Sequence, residues 1–294
     1  MNEAPTGNKR PAFDCAAIIG AGLIGGSIGM ALRERGIASH VVAVARSEET
    51  LRLAVSRGAA DRATLSLSEA AAEADLVILA TPVSLIIEHV AAIAEMIADE
   101  CLVTDVGSVK GPIVAAAEES LPCAGRFVGG HPLAGSERKG IAAARSDLLD
   151  GATWVLTPTR VTDEDALNRI EDLVARLGAR SLLLSPQEHD VLVGRTSHLP
   201  HVVAAALMRV VAEAAKEYAE ILDVIGPGLR DTTRIAASDP ALWADIALAN
   251  AAVVLAGMGE MNEALSRFKE ALEAGNREEL ERLFAGAQRA REGL

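Results

Sequence analysis

Aromatic residues are scarce: two Trp, one Tyr and four Phe make up 2% of the 294 residues. Aromatic clusters therefore cannot build the core, and the stacking platforms of single-strand nucleic-acid binders are missing. Cysteine is scarce too. Cys15, Cys101 and Cys123 are widely spaced with no Cys-x-x-Cys, which leaves no disulfide framework and points to a reducing, cytoplasmic setting. Basic residues are in deficit, 28 Lys and Arg against 41 Asp and Glu, for a net charge of -13. Such a chain is a poor match for nucleic acid, whose phosphates require clustered cations. Long apolar runs are also lacking. The run over 76–87 contains Pro82 and the run from Val202 meets Arg209, both short of the roughly 20 residues that a membrane helix needs. Residues 1–13 are polar and read as a disordered tail, not a signal sequence.

Alanine is abundant instead, 56 of 294 residues, as expected of closely packed helices. From residue 14, short apolar segments alternate with helix-like ones: CAAII, VVAVA at 41–45, LVILA at 76–80, CLVTD at 101–105, RFVGG at 126–130, TWVLTP at 153–158 and a last strand over 179–184. This pattern predicts an α/β Rossmann-type domain with a mostly parallel sheet covered on both faces. Ser66 and Thr162 are the expected caps of two of its helices. Beyond Pro186 the spacing is helical throughout. The expected organisation is a dinucleotide-binding domain over 14–185 and an all-α domain over 186–294. Broad faces of small apolar residues, such as Val202, Ala205, Ala206, Val210 and Ala214, suit a homodimer through the helical domain.

Gly20-Ala21-Gly22-Leu23-Ile24-Gly25 is a G-x-G-x-x-G placed after a strand and before a helix. Gly20 suits the tight turn, Gly22 admits a pyrophosphate, and Gly25 allows close packing, with the helix N-terminus facing the phosphates. Leu23 and Ile24 belong to the same turn. An NAD site usually places an acid at the tip of the second strand, but this strand ends Ala45-Arg46-Ser47. Arg46 and Ser47 could bind a 2′-phosphate, so NADP is the expected cofactor and NAD the alternative. Thr81, Pro82 and Val83 follow the LVILA strand at the edge that lines the cofactor crevice.

Three further polar segments interrupt the apolar pattern. TDVGSVKG contains Gly107, expected near the cofactor, and Ser108, which could cap the next helix or meet substrate. GGHPLAGSE holds His131 at a strand tip, and TSHLPH holds His198 and His201 three residues apart, one expected to face a pocket and the other a cap or solvent. No cysteine or acid completes a metal set with these histidines, so no metal is expected.

Taken together, IIGAGLIGGSIGMAL, LVILATPV, VTDVGSVKG, RFVGGHPLAGSE, TSHLPH and GLRDTTRIAASDPALWADI resemble the prephenate/arogenate dehydrogenase family of tyrosine biosynthesis, from about residue 14 to beyond 280. The resemblance implies the monofunctional form, with no chorismate mutase segment before it and no regulatory domain after it. It implies oxidative decarboxylation of a small anionic cyclohexadiene, prephenate or alternatively arogenate. Hydride leaves ring C4 for the nicotinamide, the C4 hydroxyl loses its proton, and C1 loses carbon dioxide. By similarity His131 takes the hydroxyl proton, a task suited to a histidine, and Ser108 orients His131, the hydroxyl or the nicotinamide. Arg234 grips the ring carboxylate, and Arg230, four residues earlier, serves the entrance or the side-chain carboxylate. His201 and Ser197 border the side chain, Ser136 joins the pocket, Glu137 guards it, and Trp243 packs beneath Arg234. Two other classes fit parts of the chain. A different nicotinamide enzyme with a helical second domain would need a catalytic lysine, for which Lys216 in an Ala/Glu-rich run is unconvincing. A non-catalytic nucleotide sensor leaves His131, His201 and Arg234 without a task.

Overall fold

The apolar segments pair into one sheet because each is buried on both faces, which a helix-covered sheet allows without polar alternation. The computed structural model describes residues 11–135 and 139–293. Residues 1–10 of the expected tail lie outside that range, and Phe13 is already the buried first residue of a strand. The strands are β1 (Phe13–Ile19), β2 (Ala38–Val44), β3 (Arg62–Thr64), β4 (Leu76–Leu79), β5 (Leu102–Asp105), β6 (Phe127–Pro132), β7 (Thr153–Thr157) and β8 (Arg180–Leu183). Their spatial order is β3-β2-β1-β4-β5-β6-β7-β8. The first six are mutually parallel; β7 runs antiparallel to β6, and β8 runs parallel to β7.

Helices α1 (Leu23–Glu34), α2 (Glu48–Ser56), α3 (Leu67–Ala72), α4 (Val83–Ile93), α5 (Gly111–Ser120) and α6 (Glu164–Arg176) connect the strands. Ile28 of α1, Ala54 of α2 and Ile170 of α6 pack on one face of the sheet. Ala70 of α3, Ile86 of α4 and Ile113 of α5 pack on the other. Ser66 caps α3 as expected, accepting from the Glu69 amide. Thr162 does not cap α6: its hydroxyl accepts from the Thr159 amide within the preceding turn, and the helix starts after Asp163.

After Leu183 no strand occurs among the described residues. Helix α7 (Pro186–Val193) opens on a reciprocal capping box between Ser185 and Glu188 and runs into a π-turn, Gly194–His198. Then follow α8 (Leu199–Ala214), α9 (Pro227–Thr233), α10 (Pro240–Ala249), α11 (Ala251–Glu273) and α12 (Arg277–Glu292). The observed architecture is thus a Rossmann-type sheet domain followed by an all-helical one. Ile246 of α10 packs into the core layer that α4 and α5 cover, which joins the two parts directly. Among the described residues no single helix is long and apolar enough to cross a membrane.

Candidate active site

Strand β1 leads into α1 on one face of the sheet and the neighbouring β4 leads into α4 on the other. A crevice opens at that switch, outside the carboxyl ends of the strands. Gly20 turns the chain there at φ +107, and a Cβ on it would lie 2.6 Å from the Ala80 carbonyl oxygen. A Cβ on Gly25 would come within 2.2 Å of the Gly20 oxygen, so α1 can start this close to β1 only without side chains. Gly22 caps α1 with no side-chain bond, so the amides of the helix's first turn face the crevice. That bare amino end, with glycines around it, fits the phosphates of a dinucleotide. Gly22, Leu23, Ile24, Thr81, Pro82, Val83, Gly107 and Ser108 line one cleft of about 690 Å³. Ser108 lines the cleft and is not a helix cap: α5 has Lys110 at its N-cap, and the Lys110 and Gly111 amides donate to Asp190.

The helical half closes the same cleft with His201, Arg234, Trp243 and Ile246. His201 stacks on Trp243 with ring centroids 3.3 Å apart and planes 17° from parallel. Its Nδ1 lies 2.9 Å from the Ser197 carbonyl oxygen, so Ser197 contributes through its main chain. Burial lowers the His201 pKa, partly offset by that carbonyl. Of the TSHLPH pair, His201 is the one facing the pocket. His198 turns inward, with Nδ1 3.2 Å from Asn250 Nδ2, and burial pushes its pKa down to about 4. Arg230 and Arg234 do not share a face of one helix. α9 ends at Thr233 and tightens into a 3₁₀ turn over Arg234–Ala237; both arginines are exposed, but Arg234 lines the cleft and Arg230 does not. Ser136 and Glu137 lie outside the described residues. On either side of them, Gly135 and Lys139 border the cleft, and Lys139 Nζ meets Asp239 Oδ2 at 2.9 Å.

His131 lies near the end of β6, half-buried, and is not itself a lining residue; Ala134 and Gly135 just after it are. Its Nδ1 lies 2.9 Å from His189 Nε2, and His189 Nδ1 lies 2.8 Å from Asp190 Oδ1. Burial holds the His131 pKa well below the usual 6.5, and the charges of His189, Lys110 and His198 push it the same way. Lys110 is wholly buried, pairs with Asp105 and donates to the Gly130 carbonyl at 2.7 Å. Asp105 in turn accepts from the Gly130 amide at 3.0 Å and the Gly107 amide at 2.8 Å. These bonds tie the Ser108 loop to the strand that carries His131. Sequence reasoning missed Asp105, Lys110, His189, Asp190 and Asn250. The available signal was polar residues at positions that the apolar pattern assigns to the interior. Among the described residues no three His, Cys, Asp or Glu side chains gather into a metal-binding group.

Two family models match the chain in succession. The nucleotide-binding domain of prephenate dehydrogenase covers residues 28–183, and its dimerization domain covers residues 185–286. The prephenate dehydrogenase of Bacillus subtilis is 36% identical over 282 residues, 96% of this chain and 76% of that protein. The cyclohexadienyl dehydrogenase of Zymomonas mobilis is 34% identical over 283 residues, 96% of both chains. Among solved structures, prephenate dehydrogenase from A. aeolicus in complex with hydroxyphenyl propionate and NAD+ superposes with a TM-score of 0.87 at 32% identity, covering 95% of this chain and 98% of that one. The NAD+ in that structure overturns the expectation of NADP. The geometry at the tip of β2 agrees with the correction. Arg46 is exposed, the Ser47 hydroxyl is committed to the Thr50 amide as the cap of α2, and Glu48 and Glu49 place negative charge in the next turn.

Proposed function

Because the chain belongs to the prephenate dehydrogenase family, we infer that it is an enzyme that oxidatively decarboxylates prephenate with NAD as hydride acceptor. The observation that carries this reading is the shared cleft, where the bare amino end of α1, Ser108 and the cationic Arg234 meet. When bound, the nicotinamide supplies a two-electron acceptor beside the substrate ring. His131 takes the proton of the C4 hydroxyl as hydride leaves C4, a task that requires the neutral imidazole its buried setting favours. Ser108 orients that hydroxyl. Arg234 holds the ring carboxylate against the pull of water; the C1–carboxylate bond then breaks, its electrons enter the ring, and carbon dioxide leaves. His201 borders the side chain and Ser197 serves the same pocket; for Ser136 and Glu137 a pocket role rests on the family resemblance alone. Arg230, outside the cleft, offers a cation to an anionic substrate approaching a chain of charge -13.

The enzyme works as a homodimer through its helical domain. Supporting this, the relatives' model for residues 185–286 is a dimerization domain, and Val210, Leu248 and Leu255 are 68%, 77% and 66% exposed in the single chain. Cys15, Cys101 and Cys123 are free thiols, in keeping with a cytoplasmic setting. The decisive assay follows absorbance at 340 nm with prephenate and NAD+, with arogenate and NADP+ as comparison arms. Turnover of prephenate with NAD+ supports the assignment; no substrate-dependent signal in any arm overturns it. Sedimentation at micromolar protein should give twice the 30.6 kDa chain mass, and a monomer would refute the dimer.

A further inference from the structure

Behind His131 stands a pair of side chains for which the proposed reaction has no use as reactants. Asp190, on α7, accepts from the Lys110 amide on Oδ1 at 2.7 Å and from the Gly111 amide on Oδ2 at 2.8 Å. These are the first N–H groups of α5, which has no side-chain cap of its own. A carboxylate held by two helix-terminal amides and the helix dipole is an acceptor only. His189 Nδ1, 2.8 Å from Asp190 Oδ1, therefore donates to it. With its one ring proton so placed, His189 presents a lone pair on Nε2. That atom lies 2.9 Å from His131 Nδ1, which must then be the donor. His189 is 0% exposed and Asp190 8%, so water offers the His189 ring no substitute partner. The Asp190 carbonyl accepts from Asn250 Nδ2 at 2.8 Å, which pins α7 in place from the α11 side.

We infer that His189 and Asp190 are positioning residues that hold His131 in its Nδ1–H tautomer, leaving the Nε2 lone pair to meet the substrate hydroxyl. This rests on the role proposed for His131, and it adds what that role requires: a base whose open nitrogen is the one that His189 does not engage. A free histidine side chain in water favours the opposite tautomer, so the pair works against the default.

The test reads the tautomer itself. Nitrogen-15 spectra of the imidazoles in the NAD+ complex at neutral pH, with His131 assigned by loss of its signals in His131→Asn, should show a protonated Nδ1 and an unprotonated Nε2. In His189→Leu the His131 signals should move toward the Nε2–H form, and kcat should fall about 10- to 100-fold, less than the about 10²–10⁴ that a general base contributes. KM for prephenate and the NAD+ dissociation constant should stay within about threefold. His189→Gln, whose carbonyl can accept from Nδ1–H, should keep the tautomer and restore most of the turnover. An Nε2–H His131 in the unaltered enzyme overturns the inference, as does a folded His189→Leu with unchanged kcat and spectrum. If the Leu variant does not melt cooperatively, the unaltered spectrum and the Gln variant decide. Failure of the base role looks different: His131→Asn would then keep its turnover while the tautomer of the parent enzyme stayed as described.

Discussion

Ile28, Leu76, Ile78 and Ile86 in the sheet half are fully out of water, while Leu248, Leu255, Leu272 and Phe284 in the helical half are each 64% exposed or more. Beyond Pro186 the apolar residues that are fully buried reduce to Val193, Ala204, Ile246, Val254 and Ala271 among those described. Both halves carry apolar side chains at regular spacing, but the sheet half buries far more of them within one chain. The difference marks the surface on which the proposed second copy would act. Burying a Leu or Phe contributes about 1.5–3 kcal/mol, so several such positions repeated in two copies offset an association cost of about 4–15 kcal/mol. The halves divide the chemistry as well: the glycine turn and His131 come from the sheet, and Arg234 and His201 from the helices.

Substitutions can break that division or sharpen it. His131→Asn should lower kcat by about 10²–10⁴ and leave NAD+ affinity intact, checked by steady-state rates and cofactor titration. Arg234→Ala, which removes a charge-assisted contact at an exposed side chain of the cleft, should weaken prephenate binding by about 1.5–3 kcal/mol with NAD+ affinity again unchanged, read from KM and an equilibrium titration. Equal losses for both ligands would mean that the halves do not divide the work. Ile78→Ala, in β4, should cost about 2–5 kcal/mol in urea unfolding at any protein concentration. Leu255→Ala, at a side chain 66% exposed in the single chain, should cost little at low concentration and most where the proposed dimer is fully formed. The smallest effect concerns pH. His198 has a folded pKa of about 4. The unfolded chain takes up that proton near the ordinary 6.5, so stability falls as pH drops from about 6.5 to about 4, by up to about 3 kcal/mol. In His198→Asn the difference in unfolding free energy between these two pH values should shrink correspondingly.

Much of this was legible in the sequence where a residue's task is local. Gly20, Gly22 and Gly25 declared their turn because a phosphate-binding strand–helix junction needs those glycines at that spacing. LVIL and LVTD declared themselves as buried strands by lacking polar alternation. Strand β3 did not, because three residues, Arg62–Thr64, are too few to show a period. Arg230 and Arg234, four residues apart, would share a face only on one continuous helix, and α9 stops between them. Arg46 and Ser47 misled because a hydroxyl after a strand can cap a helix as readily as it can meet a phosphate, and Ser47 caps α2. The His131–His189 bond and the Asp190 cap of α5 were not legible for another reason. They join residues 58 and up to 80 positions apart in the chain, and a period or a motif reports only on neighbours.

The capping of α5 by Asp190 has a consequence for anyone recombining these chains. A sheet module cut after residue 185 would leave the Lys110 and Gly111 amides bare, and the cut would fall beside the loop that carries Ser108. A chimera that grafts a foreign helical module onto this nucleotide module should therefore be joined after the π-turn at 194–198, so that the borrowed cap travels with the helix it serves.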